Sequence, residues 1–144
     1  MAACDLAIAS EEASFATPGV RIGMFCTTPG VPLVRSVGRK RAMQMLMTGE
    51  AVDARTAAAW GLVNTVVPAA DLRKATLELA GKIAQATADT IATGKRAFYD
   101  SVDLPETQAY ERAKYVMAAS AACPDAQEGI TAFLEKRRPL WNKS

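Results

Sequence analysis

Two kinds of apolar patterning divide this chain. Up to Pro68 the apolar residues come in short runs closed by glycine, proline or polar turns; beyond it they recur at helical spacing over long stretches. Cys4–Ala9 is one such run, ended by the polar turn Ser10-Glu11-Glu12, and Ser14–Ala16 resumes as a second extended piece. Periodicity alone does not separate a short buried strand from a buried helical segment, but the lengths and flanking turn residues favour strands. Thr17-Pro18-Gly19 interrupts sharply, because proline fixes its own φ and turns the residue before it away from helix. An irregular loop then runs through Arg21-Ile22-Gly23 to Thr27-Thr28-Pro29-Gly30. Loops carried on a strand and delivered to a helix N-terminus are common seats of binding and catalytic groups.

The next helix is expected to begin near Gly30, because Pro32 is tolerated only in a first turn. Leu33, Val34 and Val37 form its apolar face, and Gly38 is placed to end it in a left-handed cap. A second helix over Arg39–Met47 groups Ala42, Met43 and Leu46 and stops at Thr48-Gly49. Asp53 suits the N-cap of a short helix over Ala54–Trp60, with Gly61 as its C-cap. Leu62–Val67 is rich in β-branched residues, is closed by Pro68, and reads as a strand. Amphipathic helices follow. Ala69–Ala86 carries the stripe Leu72, Thr76, Leu79 and Ile83, and Asp89–Val102 carries Ile91, Lys95, Phe98 and Val102. Pro105 starts a helix to Ala122 with Tyr110, Ala113 and Met117 inward. Pro124 opens a last one, stopped by Pro139, with Ile130, Phe133, Leu134 and Arg137 on one face. The expected organisation is an α/β region over residues 1–68 and a helical region over 69–144.

Composition narrows the function classes. The chain is 50% hydrophobic and 22% charged, with 17 basic and 15 acidic residues and a net charge of +2. Nucleic-acid binding requires a clustered basic face, which this balance does not supply. No apolar run approaches the roughly 20 residues of a membrane span. The three cysteines are far apart without Cys-x-x-Cys spacing and read as reduced thiols of an intracellular protein, for which a cytoplasmic location is expected with an organellar one left open. Asp5, Glu11 and Glu12 precede the first base, Arg21, so the start resembles neither a signal nor a transit peptide. There is no histidine, which removes Ser-His-Asp and Cys-His nucleophile systems and the commonest zinc ligand from this chain. No metal site is expected.

Candidate chemistry therefore centres on the loop. Gly19 has no side chain to act as a base and reads as a turn residue with positive φ. Cys26 lies shortly before a helix N-terminus, where the macrodipole favours a thiolate. With no partner base visible, a structural or pocket-lining thiol is preferred to a nucleophile. Phe25 lines either an apolar cleft or the core, and the sequence does not separate the two. Glu11 and Glu12 read as solvated turn residues, and Asp5 as a buried hydrogen-bonding residue. Lys136, Arg137 and Arg138 close the last helix, where basic residues complement the dipole without any ligand.

Three stretches carry a resemblance: CDLAIASEEASFATPGVRIG, LVRSVGRKRAMQMLMTGEAVDARTAAAWGLVNTVVP and QEGITAFLEKRRPLW. The second is the most specific, with Met47-Thr48-Gly49 followed by A-x-x-A-x-x-x-G-L-V from Ala54 to Val63. In this order they resemble the C-terminal half of the crotonase (enoyl-CoA hydratase/isomerase) superfamily. The resemblance implies an α/β fold, the second half of a ββα spiral core, followed by a C-terminal helical region used for trimer formation. It also implies acyl-CoA thioesters as ligands, with no cofactor beyond the coenzyme A thioester itself, and a homotrimer or dimer of trimers at full length.

Family members hold the thioester carbonyl with two backbone N–H groups that stabilise an enolate-like anion. Hydratases add two carboxylates as acid and base. By the resemblance, one oxyanion N–H and the first glutamate belong just before Met1, and the second glutamate position is Gly19. Cys26 stands for a family proline, and Pro29-Gly30 for a Gly-Gly pair. Phe25 and Cys26 then line the substrate site, and Phe133 and Lys136 match a motif that contacts the CoA nucleotide. The expected activity is hydratase- or isomerase-like, with no identified catalytic residue in this chain and little activity from the chain alone. The rival expectation is a non-catalytic acyl-CoA-binding or oligomer-scaffolding member.

Overall fold

Small and branched apolar residues brought together from both ends of the first 67 positions build the one sizeable core among the described residues. The structure, a computed structural model, describes residues 1–141. Two compact units divide it, Met1–Ala80 and the segment from Gly81 onward. The break falls inside a helix, so it does not coincide with the change of patterning at Pro68.

In the first unit, β1 (Ile8–Ser10) pairs in parallel with β4 (Thr65–Val67), Ala9 opposite Val66. Asn64 secures the entry to this pair, its N–H donating to the Ala7 carbonyl at 2.8 Å and its Oδ1 accepting from the Ala7 N–H at 2.7 Å. Both strands are shorter than the apolar runs that contain them. Leu62 and Val63 are buried yet lie outside β4, in the turn that follows Gly61. The second extended piece is β2 (Ser14–Phe15), which pairs antiparallel with β3 (Val52–Asp53). A two-residue strand has no periodicity to detect, and β3 leaves no trace in the hydrophobic pattern.

Helix α1 (Thr27–Val37) starts three residues before Gly30 and keeps Pro32 inside it. Pro32 has no N–H to give to the carbonyl of Thr28, so the helix runs on with one bond missing. Gly38 ends α1 with φ 78 and ψ 165, a region open essentially to glycine alone, and not in the left-handed helical cap expected. Helix α2 (Arg39–Thr48) follows at once, then α3 (Ala54–Trp60), whose N-cap Asp53 accepts from the Thr56 N–H at 2.7 Å. Leu33, Val37, Met45 and Leu46 fill the centre. Ala42, Ala54 and Ala57, at most 1% exposed, let the three helices and β1 approach closely.

The second patterning region begins with a 3-10 turn (Ala69–Asp71) and α4 (Leu72–Ile83), on which Leu72 and Leu79 are half-buried and Thr76 is exposed. From Gly81 onward come α5 (Ala88–Ser101, capped by Thr87), α6 (Glu106–Ala121) and α7 (Pro124–Leu134). Among the described residues of this unit only Ala132 is fully buried. The half-buried row of α6 is Ala109, Val116 and Ser120, whereas Tyr110 is 70% and Met117 72% exposed, contrary to the inward placement expected. Small side chains take the contact row because they allow the backbones to approach, and the large ones face outward. Ile91 and Phe98 of α5, its C-cap Val102, and Ile130, Phe133 and Leu134 of α7 are also exposed. α7 stops five residues before Pro139, and Arg137 lies beyond it. No helix among the described residues is long and apolar enough to cross a membrane.

Leu33, at 4% exposure, is expected to anchor the first unit. Leu33→Ala should lower stability by about 2–4 kcal/mol through lost burial and an unfilled cavity, measured by urea unfolding. Phe133→Ala, at a position 82% exposed, should change it little.

Candidate functional site

The loop from Thr17 to Cys26 is built around Gly19. Pro18–Ile22 forms a 3-10 turn, and the Met24 N–H returns to the Gly19 carbonyl at 2.9 Å. Gly19 is buried, and it is not among the positive-φ residues, so the turn conformation expected for it is wrong. The reason for glycine is space. A Cβ at this position would lie 2.6 Å from Cys26 Sγ and 2.7 Å from the Met24 carbonyl oxygen, and the second of these is backbone that cannot rotate away. Nearby, Thr17 Oγ1 is buried with no hydrogen-bond partner among the described residues, a polar atom that the sequence pattern did not single out.

Cys26 is the N-cap residue of α1, makes no side-chain capping bond, and is half-buried against the core. Its thiol packs under Gly19, as a space-filling group. Phe25 beside it is 46% exposed and therefore lies at the surface of the loop, outside the core. The loop thus brings Gly19, Phe25 and Cys26 together. No carboxylate occurs between Glu12 and Glu50, a stretch that holds Arg21, Arg35, Arg39, Lys40 and Arg41. Glu11 and Glu12 are exposed, Glu11 lying 3.7 Å from Arg55. Asp5 is exposed, contrary to the burial expected. Among the described residues no group of acidic or thiol side chains is arranged to hold a metal ion.

Phe133 and Lys136 belong to the other compact unit, at the end of α7, and both are exposed. Here the structure reveals a cluster that sequence reasoning missed. Arg137 grips Glu128 with two parallel bonds, Nη1 to Oε1 at 2.6 Å and Nη2 to Oε2 at 3.0 Å, and reaches Glu135 through Nε at 2.6 Å. Glu128 also accepts from the Leu140 N–H at 2.7 Å, and the Trp141 indole N–H donates to the Gln85 carbonyl at 2.7 Å. The nine-residue separation of Glu128 and Arg137 exceeds any intrahelical spacing, so only the chain reversal after Leu134 reveals the pair. Two open surface depressions, one along Ala70–Glu78 and one along Leu104–Tyr115, contain none of these residues.

Gly19→Ala is expected to destabilise the protein by about 1–3 kcal/mol, because the added methyl meets backbone; urea unfolding checks it, and unchanged stability would show that the loop can open. The Arg137 guanidinium, helped by the Leu140 N–H, holds the Glu128 carboxyl down at about 2 against an ordinary 4.5. The folded chain therefore binds this proton more weakly than the unfolded chain. The clamp contributes fully above pH 4.5, and its contribution is lost as pH falls from there towards 2. In a Trp60→Phe background, Trp141 fluorescence should report this loss, and adding Glu128→Gln should remove the transition.

Comparison with known proteins places this geometry. The enoyl-CoA hydratase/isomerase family profile matches residues 1–144. The human enoyl-CoA hydratase domain-containing protein 3, mitochondrial, is 46% identical over 142 residues, covering 99% of this chain and 47% of that protein. The 2,3-dehydroadipyl-CoA hydratase of Escherichia coli is 33% identical over 137 residues, covering 94% of this chain and 54% of its own length. Among solved structures, an enoyl-CoA hydratase from Mycobacterium smegmatis superposes with a TM-score of 0.96 at 45% identity, over 99% of this chain and 55% of the other. The chain spans about half the length of these relatives. The cytoplasmic location expected from the sequence finds no support among them, since the human relative and one from Xenopus laevis are described as mitochondrial. A family match along the whole chain, on a fold this closely shared, makes the chain a member of the enoyl-CoA hydratase/isomerase family, the crotonase superfamily.

Proposed function

We propose that this chain forms the C-terminal half of an acyl-CoA-handling protein whose chemistry is not hydration by two carboxylates. The observation that carries the reading is the enclosure of Gly19. By the resemblance this position takes the second glutamate of hydratases, and here the Met24 carbonyl and Cys26 Sγ occupy the space into which any side chain would project. A water held between two carboxylates therefore lacks one of its partners. What is left is thioester binding with enolate stabilisation. A single glutamate contributed from outside these 144 residues would extend that to proton transfer, as in an isomerase.

In this reading Phe25 and Cys26 line the acyl side of a site, and Phe133 with Lys136 meets the nucleotide end of coenzyme A bound to a neighbouring subunit, the ammonium acting as a point charge towards phosphate. The basic, acid-free stretch from Ala13 to Gly49 supports an anionic ligand. No cofactor is needed beyond the thioester. The large apolar side chains that α5 and α6 leave exposed, Phe98, Tyr110, Tyr115 and Met117, support assembly into a homotrimer.

Titration of the natural full-length polypeptide with acyl-CoA, together with an enoyl-CoA hydration assay, tests the proposal. Saturable acyl-CoA binding with hydration at the uncatalysed rate is the expected result. Robust hydration with Gly19 in place would overturn it.

A further inference from the structure

We infer that Glu128 is a positioning residue that, through Arg137, holds Lys136 in the backbone conformation needed to present its ammonium to an anionic ligand. The inference rests on the acyl-CoA reading, and coenzyme A is the probe.

The starting observation is conformational. The end of α7 is closed by two bonds, the Arg137 N–H to the Ala132 carbonyl at 3.0 Å and the Lys136 N–H to the Phe133 carbonyl at 3.2 Å. This double closure puts one residue in the left-handed region, a place that helices usually give to glycine. Here it is Lys136, with φ 54, the one non-glycine residue with positive φ among those described. Elsewhere the chain meets the same demand with glycine, at Gly23, Gly49 and Gly61. A lysine kept where glycine would be unstrained points to a use for its side chain.

The second observation is how the strain is held. Glu128 bonds the residue after Lys136 through the Arg137 fork, and bonds the chain four residues on through the Leu140 N–H. The returning segment lies close enough to α7 that a Cβ on Gly129 would sit 3.4 Å from the Trp141 ring. The segment that follows Lys136 is thus fastened to α7 at two points, Arg137 and Leu140. Arg137 also engages the carboxylate of Glu135. Both acids of this turn are thereby committed to Arg137, and the Lys136 ammonium has no acidic partner among the described residues. It is exposed, three residues from the exposed ring of Phe133. An exposed apolar ring and an exposed cation three residues apart suit a ligand that carries phosphate and a flat, stackable group.

The test compares wild type, Lys136→Gly, Glu128→Gln and the double variant in the full-length protein. Affinity for coenzyme A is read by calorimetry and stability by urea unfolding. Lys136→Gly should raise the unfolding midpoint and weaken coenzyme A binding by about tenfold, since strain and cation go together. Glu128→Gln should weaken binding by roughly fivefold, and the double variant should bind no more weakly than Lys136→Gly alone, because the two residues act through one contact. A purely structural Glu128 would give additive losses or none, and either result overturns the positioning role. So does a Lys136→Gly protein that loses stability or keeps full affinity. Binding by wild type that Glu128→Gln leaves unchanged removes this inference alone, whereas absence of coenzyme A binding by wild type removes the acyl-CoA reading as well.

Discussion

The loop from Thr17 to Cys26 sits where it does because two positions offer it no side chain. Gly49, the left-handed cap of α2, lies against the 3-10 turn so closely that a Cβ there would be 3.2 Å from Pro18 Cα and 3.1 Å from a Val20 methyl. Gly19, on the turn itself, faces the Met24 carbonyl and the Cys26 thiol at still shorter range. The first glycine lets the turn settle on the end of α2, and the second lets the loop close on itself. Behind them, Ala42, Ala54 and Ala57 bring α2 and α3 close to the parallel pair β1–β4. Steric economy at a few small residues therefore decides the shape of the candidate site.

The same economy gives the loop its chemical character. A closed loop with a thiol beneath a glycine has no room for a carboxylate and no carboxylate to use. Along the chain, the stretch from Ala13 to Gly49 that contains this loop carries bases and no acid. The second unit contrasts with this. It buries little, leaves large apolar side chains outside, and holds its last turn by charge: Arg137 between Glu128 and Glu135, with each partner partly exposed. Exposed ion pairs contribute little on average, but a bidentate fork that also secures a backbone N–H belongs to the stronger kind.

The sequence alone determined more than the element list. Among the described residues the apolar periodicities located each α-helix to within a few residues at one end or both, and Asp53 and Gly61 marked the ends of α3, because caps, prolines and helical stripes act locally. The motif stretches pointed to the family, which the family match along residues 1–144 bears out. Four features were decided only by the tertiary structure. Which row of α6 faces inward depended on what packs against it, and Ala109 and Val116 displaced Tyr110 and Met117. Strand β3 existed only through its pairing with β2. The need for glycine at position 19, and the junction of Glu128 with Arg137 and Leu140, arise from atoms that the chain brings together by turning back. Propensity and periodicity are properties of neighbours in sequence, whereas steric exclusion and ion pairing across a reversal are properties of neighbours in space.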